Sequence, residues 1–260
     1  MDKFKLAELI RQSEVIDRIK FIQDKCPGKD VLDLGSVMHC IDYRINEPDW
    51  LHGAIKSVAR KTIGVDYLPG PVRQLQEIGY NIILGDVTKP LPVTDKFDVI
   101  VAGDLIEHLT NFEGFFQNCR NLLNNNGILI ITTVNPFFFK WFLYIFLKNR
   151  YLVNPEHTCY IDPQCLSHLS ERSGFDIKEL YFIKDIVGIG PWLSETKNHT
   201  CNMRTGEWTN NSFIFKASKK IVSKIFTCLY FPLKIVMKRI AKPCIYSDYL
   251  AVLERNDKKF

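Results

Sequence analysis

Apolar residues in this chain gather in short runs that end on an acid or a glycine, separated by stretches with helical spacing. The run Asp30-Val31-Leu32-Asp33-Leu34 closes on Gly35 and Ser36. Such a run reads as a buried parallel strand opening into a tight turn. About thirty residues later Thr62-Ile63-Gly64-Val65-Asp66 repeats the form, again ending in a carboxylate. Further strands are expected at 80–84, 97–102, 128–133, 175–183 and 249–253.

Helices are expected between them. Residues 5–25 carry one or two, stopped by Cys26-Pro27-Gly28. Residues 36–48 read as loop and 49–60 as helix. Pro69 opens a helix that runs through Ile78, and Gly79 closes it. A helix over 111–123 meets an Asn-rich turn at 124–126 with Gly127, and a helix over 162–173 starts at Asp162-Pro163. Strict alternation of strand and helix predicts an α/β fold on a parallel sheet. In such sheets ligands bind at the carboxyl ends of the strands, and an acid ending the second strand is placed to accept from ribose hydroxyls.

The rhythm breaks after 133. Residues 137–147 form an aromatic run, too short and interrupted for a membrane span, that reads as a lid or a core-facing cap helix. Roughly sixty residues then separate the last two strands, far more than an ordinary connection. One domain over 1–260 is expected, with a helical lead-in at 1–27, a cap insertion at 137–160 and an insertion at 184–246.

Charge sharpens that last boundary. The net +5 hides a segment between Glu207 and Asp248 with eight basic residues and no acid, so the rest of the chain is net acidic. A general nucleic-acid footprint is therefore not indicated. Within 216–243 large apolar residues alternate with the lysines. That pattern suits either peripheral contact with an anionic membrane or a helical hairpin over the sheet edge, and the hairpin is preferred. The eight cysteines show no CxxC spacing, and Met1-Asp2-Lys3-Phe4-Lys5 starts an amphipathic helix rather than a signal peptide. Reduced thiols and a cytoplasmic setting are expected.

Six motifs stand in order: VLDLG (31–35), IGVDYL (63–68), GDV (85–87), FDVIVAGDLIEHL (97–109), LLNNNGILIITTVNP (122–136) and EHTCYIDPQCLSHLSERSGF (156–175). Together they resemble the class I S-adenosylmethionine-dependent methyltransferases of the small-molecule and glycan type. The resemblance implies a Rossmann-like three-layer α/β/α sandwich, its seven-stranded sheet mostly parallel with strand seven antiparallel. It implies S-adenosyl-L-methionine as cofactor. Asp33 and Gly35, with Ser36, would lie by its methionine end, and Asp66, with Tyr67, at its ribose. Asp86 and Val87 would meet the adenine edge, and Gly103 and Asp104 would line the floor of methyl transfer. One departure is plain: the glycines that such proteins carry two and four residues after Gly35 are Val37 and His39 here. The change also removes the GxGxxG fingerprint of NAD and FAD sites.

Candidate chemistry lies in Asp104-Leu105-Ile106-Glu107-His108, which sets three polar groups on one face if the segment is helical, and in Glu156-His157 downstream. A similar E-x-x-E-H with a distant His binds a divalent ion in methyltransferases of small-RNA 3′ ends. Alternatively His108 packs beneath the pocket, or His108 or His157 is a general base for an oxygen nucleophile. Glu107, His108 and His157 are taken as the candidate catalytic residues, with no metal assigned. The expected activity is methyl transfer, at oxygen, to a small, glycan-linked or lipid-linked acceptor. Metal-dependent 2′-O-methylation of RNA and a non-catalytic binding module are the alternatives.

Overall fold

The computed structural model describes residues 3–37, 45, 47–149, 154, 156–184, 199–201, 208–210 and 242–256. In chain order the elements are α1 (Lys3–Gln12), β1 (Val15–Ile16), α2 (Arg18–Lys25), β2 (Asp30–Leu34), α3 (Leu51–Lys56) and β3 (Lys61–Asp66). Next come α4 (Pro69–Glu77), β4 (Ile82–Leu84), β5 (Phe97–Gly103), a 3-10 turn (Ile106–His108), α5 (Phe112–Leu122) and β6 (Leu123–Val134). Then follow α6 (Phe139–Lys148), α7 (Pro163–Arg172), β7 (Phe175–Ile183), the short pair β8 (His199–Cys201) and β9 (Trp208–Asn210), a second 3-10 turn (Lys242–Ile245) and β10 (Asp248–Arg255).

The main sheet has the order β1-β7-β10-β6-β5-β2-β3-β4. Strands β2 to β6 pair in parallel, and β10 runs antiparallel between β6 and β7. All seven expected strands are present, but the sheet has eight. The addition is β1, which pairs Val15 with Phe182 and Ile16 with Ile183. Two residues between two helices leave no periodic trace; their pairing comes from the open edge of β7.

Period-two alternation divides the core into two faces. Val31, Val99, Val101 and Ile130 point to one, where Ile22 of α2 and Leu51 and Ile55 of α3 cover them. Leu32, Leu34, Ile100 and Leu129 point to the other, under Phe115 and Phe116 of α5 and Leu166 of α7. Helix, sheet and helix make the expected three layers. Three helix ends fall where the sequence places them, while the helix expected over 49–60 is the shorter α3. Asp162 caps α7 by accepting from the Gln164 and Cys165 amides, Asn111 caps α5 through the Gly114 amide, and Gly79 takes φ 87° beyond α4.

Two local expectations change. Residues 124–126 belong to β6 rather than to a free turn: Phe97 pairs with Leu123, Val99 pairs with Ile128, and the asparagines bulge between. The Asn124 amide donates to Asp98 Oδ1 at 2.8 Å and holds the bulge. The segment 104–108 is not a helical face either, because Asp104 has φ 51° and only Ile106–His108 forms a turn. Most of 184–246, including nearly all of the basic stretch 216–243, lies outside the described residues. Among the described residues, no helix is long and apolar enough to cross a membrane.

Candidate active site

The site is assembled at the carboxyl ends of β2, β3, β5 and β6. After β2 the chain turns at Gly35, whose φ of 74° favours glycine and where a Cβ would crowd Leu105 Cδ1 at 3.1 Å. The Gly35 amide donates to the Val65 carbonyl at 2.9 Å, so the β2–β3 ladder runs past the strand end. Ser36 is buried, and its Oγ has no hydrogen-bond partner among the described residues. The next amide, that of Val37, donates to Asp66 Oδ2 at 3.0 Å, while the Leu68 amide donates to Oδ1 at 3.1 Å. Burial raises the Asp66 pKa against those backbone donors. A carboxylate has about four lone-pair sites, so Asp66 keeps capacity for a diol. Tyr67 beside it is exposed.

This geometry accounts for Val37 in place of the first glycine; His39 lies outside the described residues. Val37 is itself buried, and the Trp50 indole N–H donates to the Ser36 carbonyl at 3.2 Å, pinning the loop from its far end. A Cβ on Gly64 would fall 2.6 Å from Ser36 Oγ and 2.9 Å from His52 Cε1, so the loop settles on β3 because that position is glycine. Asp33 does not reach outward. Its Oδ2 lies 2.9 Å from His52 Nδ1, and both groups are buried.

At the end of β4, Asp86 Oδ1 accepts from the Thr88 amide at 2.9 Å and its hydroxyl at 2.7 Å, and Lys89 stands 3.3 Å from Oδ2. Desolvation alone would raise the Asp86 pKa; these donors together outweigh it and lower it. Val87 is buried, its carbonyl accepting from Asn118 at 2.7 Å. Gly103 lies under Leu51, whose Cδ2 a Cβ would approach to 2.6 Å.

Thr132 and Thr133 then sort the acidic residues. Neighbours on a strand face opposite ways. Thr132 Oγ1 donates to Asp104 Oδ1 at 2.8 Å on the α2 side, where Arg18 pairs with Asp104 Oδ2. Thr133 Oγ1 donates to Glu107 Oε2 at 2.9 Å on the other side. Asp104 therefore leaves the cluster that 104–108 was expected to form. It borders instead a cleft of about 490 Å³ lined also by Asp17, Arg18, Pro48 and Asp248, a size that suits a small ligand.

Glu107, His108 and His157 do come together. One donor atom from each lies within 4.8 Å of the other two. The Glu107 carbonyl accepts from the Thr158 amide at 2.9 Å and hydroxyl at 3.0 Å, which brings the distant segment in. His108 Nδ1 lies 3.2 Å from the Glu156 carbonyl, an acceptor only, so Nδ1 carries the proton and Nε2 is left as a base. The two imidazoles stand edge to face with centroids 4.8 Å apart. Burial pushes the Glu107 carboxyl up to about 8, with Asp104 adding to the rise. Burial, then His108, lowers the His157 pKa. His157 Nδ1 is buried without a partner among the described residues.

Sequence reasoning missed Arg18, Trp50, His52, Thr132 and Thr133. Arg18 and His52 act across 86 and 19 positions, a range no local pattern reports. Trp50 had a weak signal, a large aromatic closing an otherwise polar loop.

A mostly parallel sheet with one antiparallel strand beside its last crossover, a glycine turn after β2 and a buried acid ending β3 define a nucleoside-cofactor domain of the methyltransferase class. Residues 8–180 match the family model described as a methyltransferase domain, and the chain belongs to that family. The ubiquinone biosynthesis O-methyltransferase of Glaesserella parasuis serovar 5 is 29% identical over 177 residues, covering 63% of this chain and 73% of that protein. The Coxiella burnetii (strain Dugway) protein of the same name is 26% identical over 172 residues, covering 63% and 71%. A SAM-dependent methyltransferase structure from Archaeoglobus fulgidus shares the fold, with TM-score 0.51 and 14% identity over 97% of this chain and 94% of that one. The chain is an S-adenosylmethionine-dependent methyltransferase.

Proposed function

We propose that the enzyme methylates a hydroxyl oxygen of a small molecule, with His157 as general base. The carrying observation is the cluster of Glu107, His108 and His157 beside the strand ends. A depressed pKa keeps His157 neutral at pH 7, and a neutral imidazole can take the acceptor's proton. The His108 ring stands edge to face against it, and a Glu107 carboxyl oxygen lies within 4.8 Å. The relatives named O-methyltransferases support oxygen as the acceptor atom.

The cofactor supplies an electrophilic methyl on a sulfonium, which becomes a thioether as the new O–C bond forms. The chain's residues bind and align it. Ser36 with its unpartnered hydroxyl, the remaining lone pairs of Asp66 and the Cβ-free passage at Gly35 fit an adenosyl ligand. Gly103 and Asp104 border the methyl end, and Asp86 and Val87 the base. Asp33 serves through His52, by fixing the turn. Glycan-linked and lipid-linked acceptors stay within this reading, as does a cytoplasmic setting. A screen of hydroxyl-bearing small molecules with isotopically labelled S-adenosylmethionine tests it; label found only on nitrogen or carbon would overturn it.

The same three side chains favour a second reading, as ligands of a divalent ion. It is the weaker one, because Asp104, the fourth ligand offered by the sequence, is held on the opposite face by Thr132 and Arg18.

A further inference from the structure

We infer that the start of α3, through Trp50 and His52, positions the Ser36 hydroxyl toward the cofactor, in place of a loop built on glycines. The inference deepens the cofactor-binding reading above and rests on it. His52 is the positioning residue. It is 1% exposed, and its Nδ1 lies 2.9 Å from Oδ2 of Asp33, which is 2% exposed. An ionised carboxylate only accepts, so Nδ1 carries the proton between them. Asp33 pairs with Gly64 across the parallel ladder of β2 and β3, and His52 stands over both. A Cβ on Gly64 would meet Ser36 Oγ at 2.6 Å and His52 Cε1 at 2.9 Å, so hydroxyl and imidazole share one bare spot of the sheet.

The second anchor is Trp50, whose indole N–H donates to the Ser36 carbonyl at 3.2 Å. One short stretch of chain thus supplies a donor to the end of β2 and another to the residue just past the glycine turn. Tyr80 backs both rings, with centroids 5.0 Å from Trp50 and 5.9 Å from His52, and Lys56 Nζ lies 3.7 Å over the Tyr80 ring. Between the anchors Ser36 Oγ is buried with no hydrogen-bond partner among the described residues. A buried hydroxyl left unpaired is unfavourable, and a ligand atom that pairs with it removes the penalty. The next amide, Val37, donates to Asp66 Oδ2 at 3.0 Å, so a shift of Ser36 reaches the acid assigned to the ribose through one peptide. Glycines at 37 and 39 would let the backbone itself approach the cofactor. Here side chains from α3 fix the turn instead, and Asp33, turned to His52, belongs to that clasp and is not a ligand.

Calorimetry of the full chain with S-adenosylhomocysteine tests this with no acceptor present. His52→Leu keeps apolar volume and loses the donor, whereas His52→Asn keeps a donor in the place of Nδ1 and loses volume. His52→Leu should weaken binding by about tenfold or more, and His52→Asn by about threefold or less. A packing role alone predicts the reverse order, and that result overturns the inference. Asp33→Ala, alone and combined with His52→Leu, should match His52→Leu, because the two side chains act as one unit. Effects that multiply would make Asp33 a separate contact to the cofactor and overturn the inference as well. Should the His52 variants not fold by circular dichroism, Trp50→Phe, which removes the indole donor, reads the same clasp. Binding weaker by about threefold is then expected, and wild-type affinity overturns the inference. Asp66→Ala separates the two readings: wild-type affinity there strikes the cofactor cradle itself, while weakened binding there with His52→Leu at wild-type strength strikes the clasp alone.

Discussion

The two halves of the site are built differently. The half around Asp66 grows from consecutive residues at the ends of adjacent parallel strands: Gly35, Ser36 and Val37 lie across from Asp66, tied by backbone amides. The half around Glu107 is gathered from afar. Thr133 approaches from β6, and His157 arrives on a segment held by hydrogen bonds to the Glu107 carbonyl. The first half is fixed by the sheet and suits an invariant ligand. The second depends on a few side chains and on loops, which is where acceptor choice can vary without disturbing the fold.

The comparison is broken most sharply at His157. With this residue as base, His157→Ala should lower kcat by about 100-fold to 10,000-fold and leave S-adenosylhomocysteine affinity as it was. Equal loss of both would mean that the two halves are one structural unit.

Asp66→Ala tests the other half. Charged hydrogen bonds to a diol are worth about 1.5–3 kcal/mol each and overlap in part, so cofactor affinity should fall by about 2–4 kcal/mol. Calorimetry with S-adenosylhomocysteine reads this directly. The chain should still fold, because Asp66 ends its strand instead of filling the core. An unchanged dissociation constant would remove Asp66 from the ribose.

These halves also differ in how far the sequence reveals them. VLDLG and IGVD are local signals, and all seven strands were legible because apolar alternation reports directly which residues a sheet buries. Asp104, Glu107 and His108 were legible as residues but not as an arrangement. Helical spacing placed them on one face. The left-handed turn at Asp104 and the opposed hydroxyls of Thr132 and Thr133 send the two acids to opposite sides of the sheet. Nothing local in 104–108 encodes that split, because it is decided by a strand some twenty-five residues on. The Arg18–Asp104 and His52–Asp33 pairs were invisible for the same reason.

Glu107 gives a pH signature for the second half. Its folded pKa of about 8 stands above the unfolded value of 4.5, so the native state holds the proton more tightly. The stability this contributes is fully present below about pH 4.5 and is lost as pH rises through about 8. Urea unfolding should therefore show a fall of a few kcal/mol across that window, and Glu107→Gln should flatten it. A wild type whose stability is flat over the same range would place the carboxyl in water.

The smallest expected effect is that of chelation. A divalent ion held by Glu107, His108 and His157 would need the carboxyl ionised and a free lone pair on each imidazole. The Glu107 carboxyl is largely protonated at pH 7, its charged form opposed by burial and by Asp104. His108 can offer only Nε2, since Nδ1 is turned to the Glu156 carbonyl. An ion of charge two would lower the carboxyl's pKa and could reverse the first objection by itself. It could not bring Asp104 back from Thr132 and Arg18, and three donors with one carboxylate make a poor oxygen site for Mg²⁺. Activity on an acceptor found by the labelled screen should accordingly survive EDTA within about twofold, against the 100-fold loss expected from His157→Ala. Strict loss with recovery on Mg²⁺ or Mn²⁺ would turn the three side chains into ligands, and the second half of the site would then be fixed by an ion instead of by hydrogen bonds.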